Sequence, residues 1–269
     1  MNYKLLFPTY RNRYTFVREK LGMLTAKNPL EKILNLGTGE GDYDPMIAAQ
    51  TEQLISCDIN QADVEFARAL NVHVPNLHYR TENALDLSFD EEQFDLIVSV
   101  DVMEHVGNPK KMLEEMDRVL KPGGYALLTF PQTRFPFTYD PINRIAALFG
   151  VTRLIGQGAY AFGHEYLIEM DEMYEWLKES NLELKEEVGL SGYLIGGLEM
   201  YWTGIIQSLF KSNAKNVNDK ETKSKKHLRP SLREPFLARL TDMIIWIDRQ
   251  LFLGRRFSVG RGLILKKKQ

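Results

Sequence analysis

Glycines at positions 37, 39 and 41, directly after the apolar run 33–36, and a carboxylate at Asp58 are the residues whose types and spacing point first to chemistry. A short apolar strand ending in alternate glycines runs into a tight turn. The amides of that turn, with the first turn of the helix behind it, face a ligand. Asp58 ends the next apolar run one helix and one turn later, where an acid can accept both hydroxyls of an adenine nucleoside's ribose. Capping a helix over 59–70 is the competing role, and the pattern leaves both open. The dinucleotide fingerprint G-x-G-x-x-G needs its third glycine one place beyond Gly41, so the spacing leans away from a dehydrogenase. The single cysteine, Cys57, lies inside the apolar stretch LISCD and reads as an inert core thiol in a reducing compartment. There is no C-x-x-C, no H-E-x-x-H and no acidic cluster at ligand spacing, so no metal is expected.

These residues need a scaffold, and the chain can build one. Its 269 residues are 44% hydrophobic, enough for one α/β domain with an elaboration. A formal net charge of -2 provides no global field to hold a nucleic acid. The first residues, MNYKLLFPTYRNRY, lack an apolar core and a small-residue cleavage site, so a cytoplasmic location is expected. A helix over 9–21, with Tyr10, Tyr14, Val17 and Leu21 on one face, is placed to lie over the glycine loop. Strands at 33–36, 54–58, 77–80 and 94–100 alternate with helices at 45–50 and 61–70, the second behind an Asn60 cap. Asn108 and Pro109 open a further helix, LKPGG stops it, and a strand follows at 125–130. This is the rhythm of a parallel sheet.

Beyond it the spacing predicts helices over 142–149 and 169–177, the latter with Glu172 at capping-box spacing, and a strand at 182–188. The stretch 190–210 is apolar but broken by Gly192, Gly196, Gly197, Gly204 and Glu199, which suits a lid better than a membrane span. Residues 211–229 are polar and lysine-rich and read as a mobile, solvated loop. Phe236, Leu237, Leu240, Met243, Ile244, Ile247 and Leu251 form a helical stripe expected to pack on the core. GLILKKK ends the chain as a strand.

Taken together, ILNLGTGEG, CDIN, ENALDL, FDLIVSVDVMEHV and LKPGGYALLTFP resemble the ordered motif series of class I S-adenosylmethionine-dependent methyltransferases, over residues 33–131. GHEYLIEMDEMYEWLKESNLEL resembles that family's approach to its sixth strand, and GRGLILKKK its antiparallel seventh. The resemblance implies a Rossmann-like α/β fold: a seven-stranded sheet of order 3-2-1-4-5-7-6, last strand antiparallel, with helices on both faces. Residues 1–189 with 259–269 would form the cofactor-binding core and its N-terminal cap helix. Residues 190–258 would be an apolar helical insertion or lid between strands 6 and 7, containing a mobile loop at 211–231.

By position, the resemblance implies that Gly37, Thr38 and Gly39 pass under the methionine moiety of S-adenosylmethionine, that Asp58 holds the ribose and that Ile59 lies against the adenine. Asn83 and Ala84 match the family's acid-plus-small pair at the adenine edge, with an amide in place of the acid. Asn35 likewise stands where an acid is commonest. Asp101, at the end of the fourth strand, would approach the cofactor's amino group, and Arg13 and Tyr14 would supply a donor to its carboxylate. On the acceptor side His105 is the first candidate base, with pocket shaping as its alternative. His164 and Tyr166 are expected to face the same cleft, and Phe135, Phe137 and Tyr139 to wall it.

The implied activity is methyl transfer, with S-adenosylhomocysteine as product, to a small, bulky or hydrophobic acceptor, natural-product-like or lipid-linked, at oxygen first and carbon next. Peripheral membrane contact through 190–253 is the accompanying expectation. The competing readings are a nucleotide-dependent oxidoreductase and a non-catalytic module of the same fold that docks a membrane or protein partner.

Overall fold

In the computed structural model, which describes residues 3–26, 30–132, 148–150, 166, 168–198, 234–252 and 258–269, the apolar runs form one seven-stranded sheet. Its strands are β1 (Leu30–Leu36), β2 (Thr51–Asp58), β3 (Leu77–Thr81), β4 (Phe94–Val100), β5 (Leu120–Pro131), β6 (Leu182–Leu190) and β7 (Gly260–Lys267). Their order is 3-2-1-4-5-7-6. β3, β2, β1, β4 and β5 pair in parallel, and β7 runs antiparallel between β5 and β6, as the motif series implies. β5 starts earlier than its apolar run. Leu120 pairs with Phe94, and the register slips before Leu96 pairs with Tyr125, which accommodates the bend at Gly123.

Between the strands lie α1 (Pro8–Leu24), α2 (Asp44–Ala48), α3 (Gln61–Leu70), α4 (Pro109–Val119), α5 (Met170–Lys178), α6 (Tyr193–Leu198) and α7 (Ala238–Phe252). Single 3-10 turns occupy Tyr3–Leu6 and Met103–His105. The caps read from sequence form. Asn60 Oδ1 accepts the Ala62 N–H at 3.0 Å and Asn108 Oδ1 the Lys111 N–H at 3.1 Å, each satisfying a donor the first helical turn leaves unpaired.

Because successive strand residues point to opposite faces, the uninterrupted apolar runs feed two cores. On one face Leu34, Leu36, Ile97 and Leu128 meet Met112, Leu113 and Met116 of α4 and Met173 and Leu177 of α5. On the other, Ile33, Leu54, Leu96 and Val98 meet Ile47 of α2 and Tyr14, Phe16, Val17 and Leu21 of α1. Burying each such side chain stabilises the fold by about 1.5 to 3 kcal/mol, which anchors the carboxyl ends of β1, β2 and β4 as a rigid rim.

α7 corrects one expectation. Most of its apolar stripe faces outward: Phe236 is 78% and Leu240 53% exposed, and Leu237, Met243 and Leu251 are exposed with them, while Ile244 and Ile247 are half-buried. The packed face carries Ala238, Thr241, Ile245 and Asp248. Polar partners on α1 and on the 3-10 turn before it select that face. Asp242 takes the buried Arg11 guanidinium at 2.8 Å, Arg249 donates to Asn12 Oδ1 at 2.9 Å, and Thr241 donates to the Leu6 carbonyl at 3.2 Å. Asp248 receives the Leu194 N–H at 3.0 Å at the start of α6. Turning the apolar stripe inward would strand these charges, a larger loss than leaving the stripe in water. Among the described residues no helix is long and apolar enough to cross a membrane. The expected helix over 142–149, except for its last two residues, and the loop 211–231 lie outside the described residues.

Candidate functional site

Where β1 turns towards β2 on one side and lies against β4 on the other, the strand order reverses direction, and a crevice opens at the carboxyl ends. A cavity of about 710 Å³ occupies it. Gly37, Thr38, Gly39, Asp58, Ile59, Asn83, Ala84, Asp101 and His105 all line this cavity, so residues 68 positions apart in the chain meet there.

The glycine turn is held from behind. The Gly37 and Thr38 amides both donate to the Cys57 carbonyl at 2.8 Å, so those two donors are engaged with β2. Gly37 has φ +82°, and a Cβ there would sit 2.2 Å from Val102 Cγ2. Glycine is therefore required for β1 and the end of β4 to close on each other. Gly39 differs: at φ +52° its missing Cβ would meet nothing within 4 Å, which leaves the floor of the cavity open to a ligand. Asp58 receives the Gly39 N–H on Oδ2 at 2.9 Å and the Asn60 N–H on Oδ1 at 3.0 Å. Each oxygen keeps a second lone pair for a further donor. Ile59 beside it is 69% exposed. Asn83 Oδ1 accepts the Leu85 N–H at 3.0 Å and likewise retains a lone pair.

Beneath the turn lies a residue that the sequence reading missed. Asp44 is completely buried, and its carboxylate collects Asn35 Nδ2 at 2.6 Å, Ser56 Oγ at 2.7 Å, Thr38 Oγ1 at 2.7 Å and the Tyr79 hydroxyl at 2.6 Å. Two donors on each oxygen is the pattern of an ionised acid. Burial raises its pKa, and the bonds from Tyr79, Ser56, Thr38 and Asn35 pull it back. Asn35, Ser56 and Tyr79 are register partners across β1, β2 and β3, a polar row through otherwise apolar strands that could have revealed the buried acid. The amide at 35 follows directly: with the acid supplied by Asp44, a second carboxylate at 35 would face it at hydrogen-bond distance.

At the β4 end, Asp101 adopts φ +54°, receives Thr129 Oγ1 at 2.9 Å and forms an ion pair with Arg13 Nε at 2.8 Å. Arg13 and Tyr14 therefore stand behind the wall. Arg13 meets the cavity through Asp101, and Tyr14 packs its ring 5.5 Å from that of Tyr43, which does line the cavity. His105 sits on the rim with 41% of its side chain exposed, and Nε2 lies 3.9 Å from Glu104 Oε1. Glu104 is buried. Desolvation, and then the charge of Asp101, hold its carboxyl well above the usual range. Tyr166 does not line the cavity: its hydroxyl donates to Glu172 at 2.8 Å, which raises the phenol's pKa, and its N–H donates to the Glu104 carbonyl at 3.0 Å. His164, Phe135, Phe137 and Tyr139 lie outside the described residues. Among the described residues no cluster of His, Cys, Asp and Glu can hold a metal ion. Cys57 is fully buried, and burial pushes its thiol far up, in keeping with an inert core residue.

Lys4 of the first 3-10 turn also reaches the wall, where it pairs with Glu40 at 2.8 Å and with Asp42. Glu40, Asp42, Asp58, Asp63, Glu82 and Asp101 bring carboxyl groups to the same wall, so its field favours a cationic ligand.

Residues 34–128 match the methyltransferase-domain family. A ubiquinone biosynthesis O-methyltransferase of Acinetobacter baylyi is 27% identical over 184 residues, 66% of this chain and 72% of that protein. A protein of the same name from Chelativorans sp. is 30% identical over 177 residues, 61% of this chain and 64% of that protein. The domain match and these relatives support a class I S-adenosylmethionine-dependent methyltransferase.

The fold agrees. The N-methyltransferase NodS of Bradyrhizobium japonicum, solved with S-adenosylhomocysteine, superposes with a TM-score of 0.50 at 18% identity, over 70% of this chain and 83% of NodS. The cofactor of this methyltransferase is S-adenosylmethionine. The cavity suits it. A sulfonium and an ammonium are cations, which the carboxylate-rich wall attracts, whereas the pyrophosphate of a dinucleotide would be repelled. The open floor at Gly39 and the spare lone pairs of Asp58 meet the needs of a nucleoside.

Proposed function

We propose that this methyltransferase transfers a methyl group to a hydroxyl oxygen of a small, hydrophobic acceptor. The carboxylate-lined cavity with His105 at its half-open rim carries the reading. The relatives named O-methyltransferases of ubiquinone biosynthesis support oxygen as the acceptor atom. Val100, Val102, Val106 and Leu85 on the same wall support an apolar acceptor.

In this reading Gly37, Thr38 and Gly39 run beneath the methionine moiety, Asp58 takes the ribose hydroxyls, Ile59 covers the adenine, and Asn83 and Ala84 meet its edge. Asp101, aimed by Arg13 and Thr129, receives the amino group. When bound, S-adenosylmethionine supplies a methyl group on a leaving group that is already activated. The chain's own work is alignment, exclusion of water and removal of a proton. The valines beside His105 dehydrate the approach. His105 takes the hydroxyl proton from the rim. Beside it, burial and then the charge of Asp101 hold the Glu104 carboxyl well above its ordinary range, with Oε1 3.9 Å from His105 Nε2. Of the insertion, α7 packs on the 3-10 turn that brings Lys4 to the cavity wall.

The test is methyl transfer from isotopically labelled cofactor to a series of hydroxylated aromatic acceptors of rising apolarity. Label should enter an organic-soluble ether, and His105→Gln should lower kcat while leaving the affinity for S-adenosylhomocysteine unchanged. Labelled products found only in the aqueous phase would contradict the apolar acceptor, and full turnover by His105→Gln would remove the base.

A further inference from the structure

We propose that the outer face of α7 docks the protein on the surface of an anionic phospholipid bilayer. Phe236 and Leu237 of the turn into the helix, and Leu240, Met243, Trp246 and Leu251 along it, are all exposed, Trp246 by 60%. At about 100° per residue they fall within one half of the helix surface, opposite the packed Ala238, Thr241, Ile245 and Asp248. Single apolar side chains on a surface need no explanation, but a contiguous row of this kind marks an interaction site. None of the six lines the cavity, so the surface is distinct from the cofactor and acceptor site.

The charges around the row select a negative occupant. Asp242 is held by Arg11 at 2.8 Å, Glu234 by Arg11 and Arg18 at 2.8 Å and 2.7 Å, and Asp248 by the Leu194 and Ile195 amides at 3.0 Å and 3.3 Å. The acids of this region are thereby neutralised from the packed side. Arg239 instead lies on the outer face, its guanidinium 5.4 Å from the centre of the Phe236 ring. Arg239 and Trp246, seven residues apart, border the apolar row along one line of the helix. A cation and an indole there stand at the level of lipid headgroups when the row enters the acyl boundary, the arrangement of a helix lying in the interface. In the sequence, the stretch 211–233 that leads into α7 is rich in lysine and arginine, and Arg255 and Arg256 follow the helix.

Area separates a bilayer from a second copy of the chain. The 15 residues of α7 make a rod about 22 Å long, and half of its surface is about 400 to 500 Å². Each partner of a stable protein pair buries about 800 Å², so two copies meeting through α7 alone fall short. A bilayer sets no such threshold, because apolar side chains enter the acyl boundary one by one and each basic side chain adds its own attraction to anionic headgroups.

The test is sedimentation of the full-length protein with vesicles of phosphatidylcholine alone or of phosphatidylcholine mixed with phosphatidylglycerol. The wild type should bind the mixed vesicles. Leu240→Ser/Met243→Ser should weaken that binding by about tenfold or more while melting within about two degrees of the wild type. Arg239→Gln should weaken binding to the mixed vesicles about fivefold and leave binding to neutral ones unchanged. Brominated acyl chains should quench tryptophan fluorescence in the wild type, and Trp246→Phe should remove most of that quenching. A wild type that binds neither kind of vesicle, a double variant that binds as well as the wild type, or one that melts several degrees lower would each overturn the proposal. Equal binding to both kinds of vesicle would overturn the anionic surface, and a wild-type dimer that the double variant turns into a monomer would assign the face to a second copy.

Discussion

Exchanging the amide and the acid beneath the glycine turn probes how the turn is held. Asn35 Nδ2 and Asp44 Oδ1 are 2.6 Å apart in a buried site. Asn35→Asp would set two carboxylates at that distance, a repulsion of about 6 kcal/mol at an effective dielectric constant near 20. The protein would relieve it by keeping one proton, so the observed loss should be about 3 to 5 kcal/mol at pH 7. That loss should shrink as pH falls, because a folded-state pKa above the unfolded one means stability present at low pH and lost as pH rises. Asp44→Asn should cost about 2 to 3 kcal/mol, since Thr38 and Tyr79 lose a charged acceptor. In the double variant Asn35→Asp/Asp44→Asn a single carboxylate again faces a single amide. Its loss in urea unfolding should fall short of the sum of the singles by at least about 2 kcal/mol. Additivity within about 0.5 kcal/mol would refute the account of why position 35 carries an amide.

Other expectations follow from burial and charge. Ile245→Ala on the packed face of α7 should cost about 2 to 4 kcal/mol, whereas Leu240→Ser on its outer face should change stability by less than about 0.5 kcal/mol; equal losses in denaturant unfolding would restore the opposite orientation of the helix. Glu104→Gln removes a carboxyl whose folded pKa is held well above the ordinary value, so its stability relative to wild type should rise as pH climbs from about 4.5, the ordinary carboxyl value, through the neutral range. Melting curves whose difference does not vary with pH would place Glu104 in a more polar setting than its burial indicates.

Most of the fold is legible in the sequence because spacing alone carries it. Apolar runs with glycine or proline punctuation mark β1, β2, β4 and the caps of α3 and α4, and the motif series orders the sheet. The glycine turn and Asp58 are legible for the same reason, since a turn and a strand end lie where their neighbours in sequence put them. Asp44 is not. Its role depends on depth behind the turn, which exists once β1, β2 and β3 stand side by side. The packed face of α7 is not legible either: its apolar stripe is a strong helical signal, while the polar contacts that choose the packed face come from Arg11 and Asn12, more than 200 residues away in the chain.

Calorimetry of S-adenosylhomocysteine against the wild-type protein and Asp58→Ala tests the central claim most directly, that the cavity at the carboxyl ends of β1, β2 and β4 holds the cofactor. The wild type should bind it and should not bind NAD, and Asp58→Ala should weaken binding by about 1 to 3 kcal/mol. Unchanged affinity in Asp58→Ala, or a preference for NAD, would contradict it.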